Sequence, residues 1–140
     1  MILIDTSVLS RVFRRRRPGP DERRLGEAIN ELLAGEAELG LPGIVLQEVL
    51  SGIRSAPQFE ELERRLLASF EIVLPGVSDY VEAARLRNKC LARGLALSGP
   101  DCLIATLAIS GGHELLTLDR DFAAVARLSP LHLYNLNLSS

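Results

Sequence analysis

The sequence predicts an α/β fold, with a mostly parallel sheet of four to five short strands and helices on both of its faces. Two observations predict it. Short apolar runs, Met1-Ile2-Leu3-Ile4 the plainest, alternate with longer stretches in which apolar residues recur at helical spacing. Strand–helix alternation of this kind builds parallel sheets covered on both sides. In addition, acids and hydroxyls follow the strand ends: Asp5-Thr6-Ser7 after the first run, and Asp119 and Asp121 after a later one. Ligands of open α/β sheets bind beyond the carboxyl ends of the strands.

At 140 residues the chain is expected to form one domain, residues 1–140, with a real core. Its composition, 47% hydrophobic and 24% charged, is that of a globular protein. No apolar run approaches a membrane span and no leader pattern is present. Cys90 and Cys102 show no paired spacing, so a reducing, cytoplasmic setting and no membrane partner are expected. His113 and His132 are far apart in sequence, which argues against a zinc site. The net charge is −2, yet fifteen of the sixteen basic residues are arginine. The codon usage of a GC-rich genome is the plainer reading of that bias; arginine also suits bidentate phosphate contacts.

Met1 to Ile4 reads as a strand buried on both faces. Asp5, Thr6 and Ser7 after it are good helix caps before Val8-Leu9, or the start of a site. A short helix continues through Ser10 to Phe13. Arg14, Arg15, Arg16 and Arg17 then run into Pro18-Gly19-Pro20, a loop. Four adjacent arginines are ordinarily a solvated segment; near Asp5 they also suit a polyanion's backbone. Leu25, Ala28, Ile29, Leu32 and Leu33 mark a helix that Gly35 stops. Glu38 to Leu41 is a strand closed by Pro42. A helix follows from Ile44 with Gly52 in its last turn, and Glu48 lies inside its apolar pattern. A lone glutamate there faces solvent or a site.

Pro57 begins a helix with Phe59, Leu62, Leu66 and Leu67 as its stripe. Glu61 and Arg65 on it are expected to pair on the surface. Glu71 to Leu74 is the third strand, ended by Pro75-Gly76, and Val77 to Arg93 a long helix stopped at Gly94. Ser98-Gly99-Pro100-Asp101 opens a helix that is apolar almost all round and therefore buried. Asp101 in its first turn complements the helix dipole, caps the helix, or faces a site from against the core. Gly111-Gly112 ends that helix and Glu114 to Thr117 is the fourth strand. Asp119 or Asp121 caps the helix Phe122 to Arg127, or serves a site. Leu131, Leu133 and Leu136 point to a last strand and a tail.

Each acid alone has a structural explanation. Together, Asp5, Glu48, Asp101 and Asp119 come from distant segments placed to reach one end of a parallel sheet. That arrangement fits a hard divalent cation, which takes oxygen ligands and needs only a few carboxylates. At these residues the chain resembles PIN-domain ribonucleases, and within them the toxin of bacterial VapBC toxin–antitoxin pairs. The resemblance rests on Ile4-Asp5-Thr6-Ser7, on Leu46-Gln47-Glu48-Val49-Leu50-Ser51-Gly52-Ile53, on Pro100-Asp101-Cys102-Leu103-Ile104-Ala105, and on Leu116-Thr117-Leu118-Asp119-Arg120-Asp121-Phe122. Any one of these is weak; four in this order cover nearly the whole chain.

The resemblance implies a three-layer α/β/α fold and a catalytic, metal-binding set of Asp5, Glu48, Asp101 and Asp119, with Mg²⁺ or Mn²⁺ as cofactor and RNA, single-stranded or structured, as substrate. It implies support from Thr6 or Ser7 and from Thr117, with Asp121 as the alternative to Asp119. It also implies a homodimer and a cognate antitoxin whose tail occupies the acidic groove. Because the acids repel RNA, Arg14 to Arg17 and Arg120 are the expected backbone contacts. Two competitors remain from the residues alone. An aspartate-nucleophile phosphatase or phosphotransfer domain needs a second early aspartate or a lysine near the phosphate, and the chain has only Lys89. A non-catalytic binding module would keep the fold without needing all four acids.

Overall fold

A computed structural model describes residues 1–13 and 17–136 of the chain. Five strands form one sheet in the order β3-β2-β1-β4-β5: β1 (Ile2–Ile4), β2 (Leu39–Pro42), β3 (Glu71–Val73), β4 (Glu114–Leu116) and β5 (His132–Leu133). Every neighbouring pair is parallel. The apolar run predicted for the first strand is the centre of this sheet, with Leu3 and Ile4 fully buried. Pairing on both edges and helices on both faces leave such a strand no solvent-facing side, which is why the run does not alternate.

The helices are α1 (Thr6–Phe13), α2 (Pro20–Ala34), α3 (Gly43–Leu50), α4 (Ala56–Ser69), α5 (Val77–Ala92), α6 (Gly99–Gly111) and α7 (Asp121–Leu128). They form the two outer layers of an α/β/α sandwich. Right-handed crossovers assign the helices between β1 and β3 to one face and those after β3 to the other. The packing agrees: α1 packs on α2 and α3, α3 on α4, and α5 most extensively on α6.

The chain leaves β1 towards β2 and β3, then returns past β1 to β4. The order therefore reverses between β1 and β4, and a crevice opens beyond their carboxyl ends. The backbone N–H of Asp5 donates to Leu116 O at 3.0 Å, which carries the β1–β4 ladder one step beyond the strand and fixes Asp5 at the crevice.

Element ends differ from expectation in instructive ways. Pro42 is inside β2 rather than after it. The β1 pairing stops at Gly40, so the proline ring, which donates no hydrogen bond, sits past that edge. Leu74 leaves β3 and is 73% exposed, because Pro75-Gly76 turns the chain before another pairing forms. α3 ends at Leu50, and Gly52 stands beyond it at φ 89°, a left-handed conformation that glycine adopts freely. Arg65 does not pair with Glu61 as expected. Arg64 takes both Glu61 oxygens at 2.7 and 2.6 Å, and the Arg65 guanidinium lies 5.0 Å over the Phe13 ring, tying α4 to α1. Both pairings suit a helix surface; the neighbouring aromatic decides for Arg65. Among the described residues no helix is long and apolar enough to cross a membrane, and Cys90 and Cys102 are both free and buried.

Candidate active site

The four acids singled out in the sequence reach the crevice from four different places. Asp5 follows β1 and is only 3% exposed, a degree of burial a carboxylate tolerates only with partners. Its Oδ2 accepts the Ser7 hydroxyl at 2.7 Å and the Thr117 hydroxyl at 2.8 Å. Those hydroxyls are oriented in turn: Leu118 N–H donates to Ser7 Oγ at 3.0 Å and Asp119 N–H to Thr117 Oγ1 at 3.0 Å. The loop after β4 is thus clamped to the start of α1 around one carboxylate. Thr117 is the last residue of the predicted fourth strand. In the structure it leaves the ladder, and its hydroxyl turns to Asp5.

Glu48, three-quarters of the way along α3, is half-buried rather than solvent-facing, and its Oε1 accepts the Thr6 hydroxyl at 2.9 Å. The adjacent hydroxyls therefore divide their work, Thr6 on Glu48 and Ser7 on Asp5. Asp101 lies in the first turn of α6 but does not cap it. Ser98 does: its hydroxyl accepts the Asp101 N–H at 3.2 Å. The Asp101 carboxyl is pushed up from its ordinary value of 3.8 to about 6. Burial is the largest cause, the Ser98 hydroxyl opposes it, and the charges of Asp5, Asp119 and Glu48 add to it. The charges of all three other acids thus lie near enough to act on Asp101.

Asp119 is half-buried beside Thr117, and its Oδ1 accepts the Asp121 N–H at 2.9 Å, so it also orients the start of α7. Asp121 is exposed. Among the described residues, Asp5 Oδ1, Glu48 Oε2 and Asp119 Oδ2 take no hydrogen bond. Each of these acids thus keeps an oxygen uncommitted, and the donor set is all oxygen, the chemistry of a hard divalent cation. Yet among the described residues no three carboxylate, imidazole or thiolate groups are drawn together tightly enough to hold an ion. The expectation that they meet at bonding reach goes further than the structure. Two carboxylates about 5 Å apart cost on the order of 3 kcal/mol at an effective dielectric near 20, a repulsion that a bound cation offsets.

Arg14, Arg15 and Arg16 lie outside the described residues; Arg17 and Arg120 are exposed. Arg11, which drew no attention in the sequence, emerges from α1 a turn beyond Ser7 and pairs with the buried Glu22 at 3.6 Å. Its position one turn after Ser7 on the same helix was the available signal. Lys89 lines a separate cleft between α5, α6 and the Ser129-Pro130 turn, with Glu82, Arg85 and Thr106, and takes no part in the acidic crevice.

The model of the PIN domain family matches residues 2–128 of the chain. The chain belongs to the PIN domain family. A curated relative, ribonuclease VapC11 of Mycobacterium tuberculosis, is 30% identical over 133 residues, covering 94% of this chain and 96% of its own. Among solved structures, VapBC2 of Rickettsia felis bound to a promoter DNA fragment has a TM-score of 0.75 at 20% identity, covering 98% of this chain and 100% of that one. VapBC-5 of M. tuberculosis, described as a member of the VapBC family of toxin–antitoxin systems, has a TM-score of 0.66 at 19% identity, covering 96% of this chain and 97% of that one. Within the PIN domain family the chain stands with the VapC ribonucleases, and the structural neighbours share its fold.

Proposed function

We propose that this PIN-domain protein is a Mg²⁺- or Mn²⁺-dependent ribonuclease of the VapC type, the toxin of a toxin–antitoxin pair, acting in the cytoplasm. The observation that carries the reading is the crevice itself. Acids from the ends of β1 and β4 and from α3 and α6 face one another at the reversal of strand order, and three of them have oxygens that hydrogen bonds leave open. Asp5, Glu48, Asp101 and Asp119 would hold the cation. When bound, such an ion lowers the pKa of its water and shields the phosphate as negative charge develops.

The chain's own residues supply the rest. Ser7 and Thr117 fix one oxygen of Asp5 and leave the other without a hydrogen bond among the described residues. Thr6 does the same for Glu48. Thr117 also holds the backbone of Asp119, so a single hydroxyl couples two of the acids. The exposure of Asp121 supports Asp119 as the fourth acid, with Asp121 contributing the N–H that orients it. Arg17, Arg120 and the arginines before Arg17 are proposed to hold the RNA backbone around the acidic centre.

Incubation of the purified chain with single-stranded RNA tests the reading. Cleavage with Mg²⁺ or Mn²⁺, lost in EDTA and lowered by at least 100-fold in Asp5→Ala and Glu48→Ala, is the expected result. Cleavage that survives both substitutions would overturn it, and RNA bound but uncut would favour a binding module. A cognate antitoxin is proposed to enter the acidic groove. A homodimer is proposed through the exposed apolar strip of Leu74, Val77, Tyr80 and Val81, which are 73%, 83%, 58% and 46% exposed.

A further inference from the structure

We infer that the cleft between α1, α2 and the Leu118 corner is a nucleotide subsite, which receives the base and phosphate adjoining the scissile bond of single-stranded RNA. The inference rests on the ribonuclease reading above. The cleft has a volume of about 200 Å³, and its walls among the described residues are Arg11, Asp21, Arg24, Leu25 and Leu118.

Position is the first argument. Leu118 sits between Thr117 and Asp119, and its N–H donates to Ser7 Oγ, which donates to Asp5. A group resting on Leu118 is therefore next to Asp119 in the chain and two hydrogen bonds, through Ser7, from Asp5. Exposure is the second. Leu115 and Leu116, just before it in β4, are buried at 0% and 2%, whereas Leu118 stands 39% exposed beside charged groups. Leu25, 3% exposed, provides an apolar floor. An apolar wall over an apolar floor accepts the face of a base without reading its edges, as sequence-tolerant single-strand sites do.

Charge is the third argument. The acids repel phosphate, so a strand crossing the crevice needs cations immediately beside it. Arg11 and Arg24 are the cations of the cleft, with side chains 44% and 53% exposed. Glu22 holds Arg11 from the buried side at 3.6 Å. Arg24 meets Asp21 only at 4.0 Å, with Asp21 76% exposed, a loose surface pair worth little, so phosphate displaces it at small cost. Guanidinium beside an apolar surface is the pairing that takes a phosphate and stacks on its base together.

The experiment uses a fluorescein-labelled single-stranded RNA that the wild-type chain cleaves. Binding is measured in EDTA across a salt series, and kcat and KM are measured with Mn²⁺. Arg24→Gln is expected to weaken binding several-fold and to flatten the slope of log affinity on log salt by about 0.7, the share of one phosphate on a single strand. Leu118→Ala is expected to raise KM about fivefold with kcat within about twofold of wild type. Lengthening the RNA by one nucleotide on one side of the cut is expected to lower KM for the wild type and for neither variant. Melting temperatures equal to wild type separate these effects from folding. Wild-type affinity, salt slope and KM in both variants would overturn the subsite while leaving the ribonuclease standing. Variants that alter only inhibition by the antitoxin would assign the cleft to the protein partner and overturn it too. A wild-type chain that neither binds nor cuts any RNA would overturn the ribonuclease reading itself.

Discussion

Asp101 is the residue at which the electrostatics of the crevice are most strained. Its carboxyl titrates near 6 because burial and three facing acids disfavour its charge, despite the Ser98 hydroxyl. An acid raised above its unfolded value binds more protons in the folded state. Its contribution to stability is therefore best near pH 4 and worsens as pH rises from about 4 to 6, then levels off. At full weight the displacement corresponds to just under about 3 kcal/mol; with the side chain half open to solvent, roughly half of that is expected. Asp101→Asn in EDTA at pH 7 should thus raise the melting temperature by roughly 5 °C and flatten its fall between pH 4 and 6. The same crevice predicts cation linkage. Mn²⁺ at about 100 times its Kd adds about 2.7 kcal/mol, roughly 10 °C in the melt, and Asp101→Asn removes most of that gain. A melt indifferent to millimolar Mn²⁺ would count against the acids acting together. The four acids were legible one by one in the sequence. That Ser98 rather than Asp101 caps α6, and that Thr6 and Ser7 serve different carboxylates, was not, because several side chains in each segment are chemically able to cap and only their directions choose among them.

At the scale of elements, β2 shows how a weak local sequence becomes a strand. Leu-Gly-Leu-Pro has two poor strand residues, yet all four are buried and paired. Gly40 makes room for neighbours: a Cβ there would lie 2.7 Å from Leu3 Cδ2 and against Met1 Sδ, 3.2 Å from Val73 Cγ2. Gly40→Ala therefore pushes on the central strand, and a loss of about 1–3 kcal/mol in urea unfolding is expected. α6 rests on the opposite device. Cys102, Ile104, Ala105, Thr106, Leu107 and Ala108 are all buried, so the helix is held by packing as well as by its cap. Ser98→Ala should cost about 1 kcal/mol of stability and, by loosening the turn that carries Asp101, weaken the Mn²⁺ response of the melt. Strand and helix types were readable here because period and apolar content differ between them. Ends were not: Pro42, Leu74 and Thr117 each sit where a neighbouring strand stops pairing, a fact about the sheet rather than about the segment.

For the whole molecule, charge and exposed apolar surface have to be handled together. The chain carries a net charge of −2 and an acidic crevice, so on the proposed reading cationic surface beside the crevice has to supply the attraction for RNA. On the β3 side, Leu74, Val77, Tyr80 and Val81 leave an apolar strip open to solvent. Burial of that strip against a second copy predicts a dimer in light scattering that Val77→Asp converts to monomer, with the melting temperature lowered. A wild-type chain that remains monomeric at high micromolar concentration would remove the homodimer from the reading.

Local sequence was sufficient for the α/β class, the parallel sheet and the buried first strand. Each follows from residue type and spacing along a short stretch. The strand order, the crevice between β1 and β4, the pairing of Arg65 with Phe13 and the cleft at Leu118 were decided by tertiary structure alone. They join residues separated by tens of positions, and the long-range packing that selects one partner among several chemically acceptable ones leaves no periodic trace in the chain.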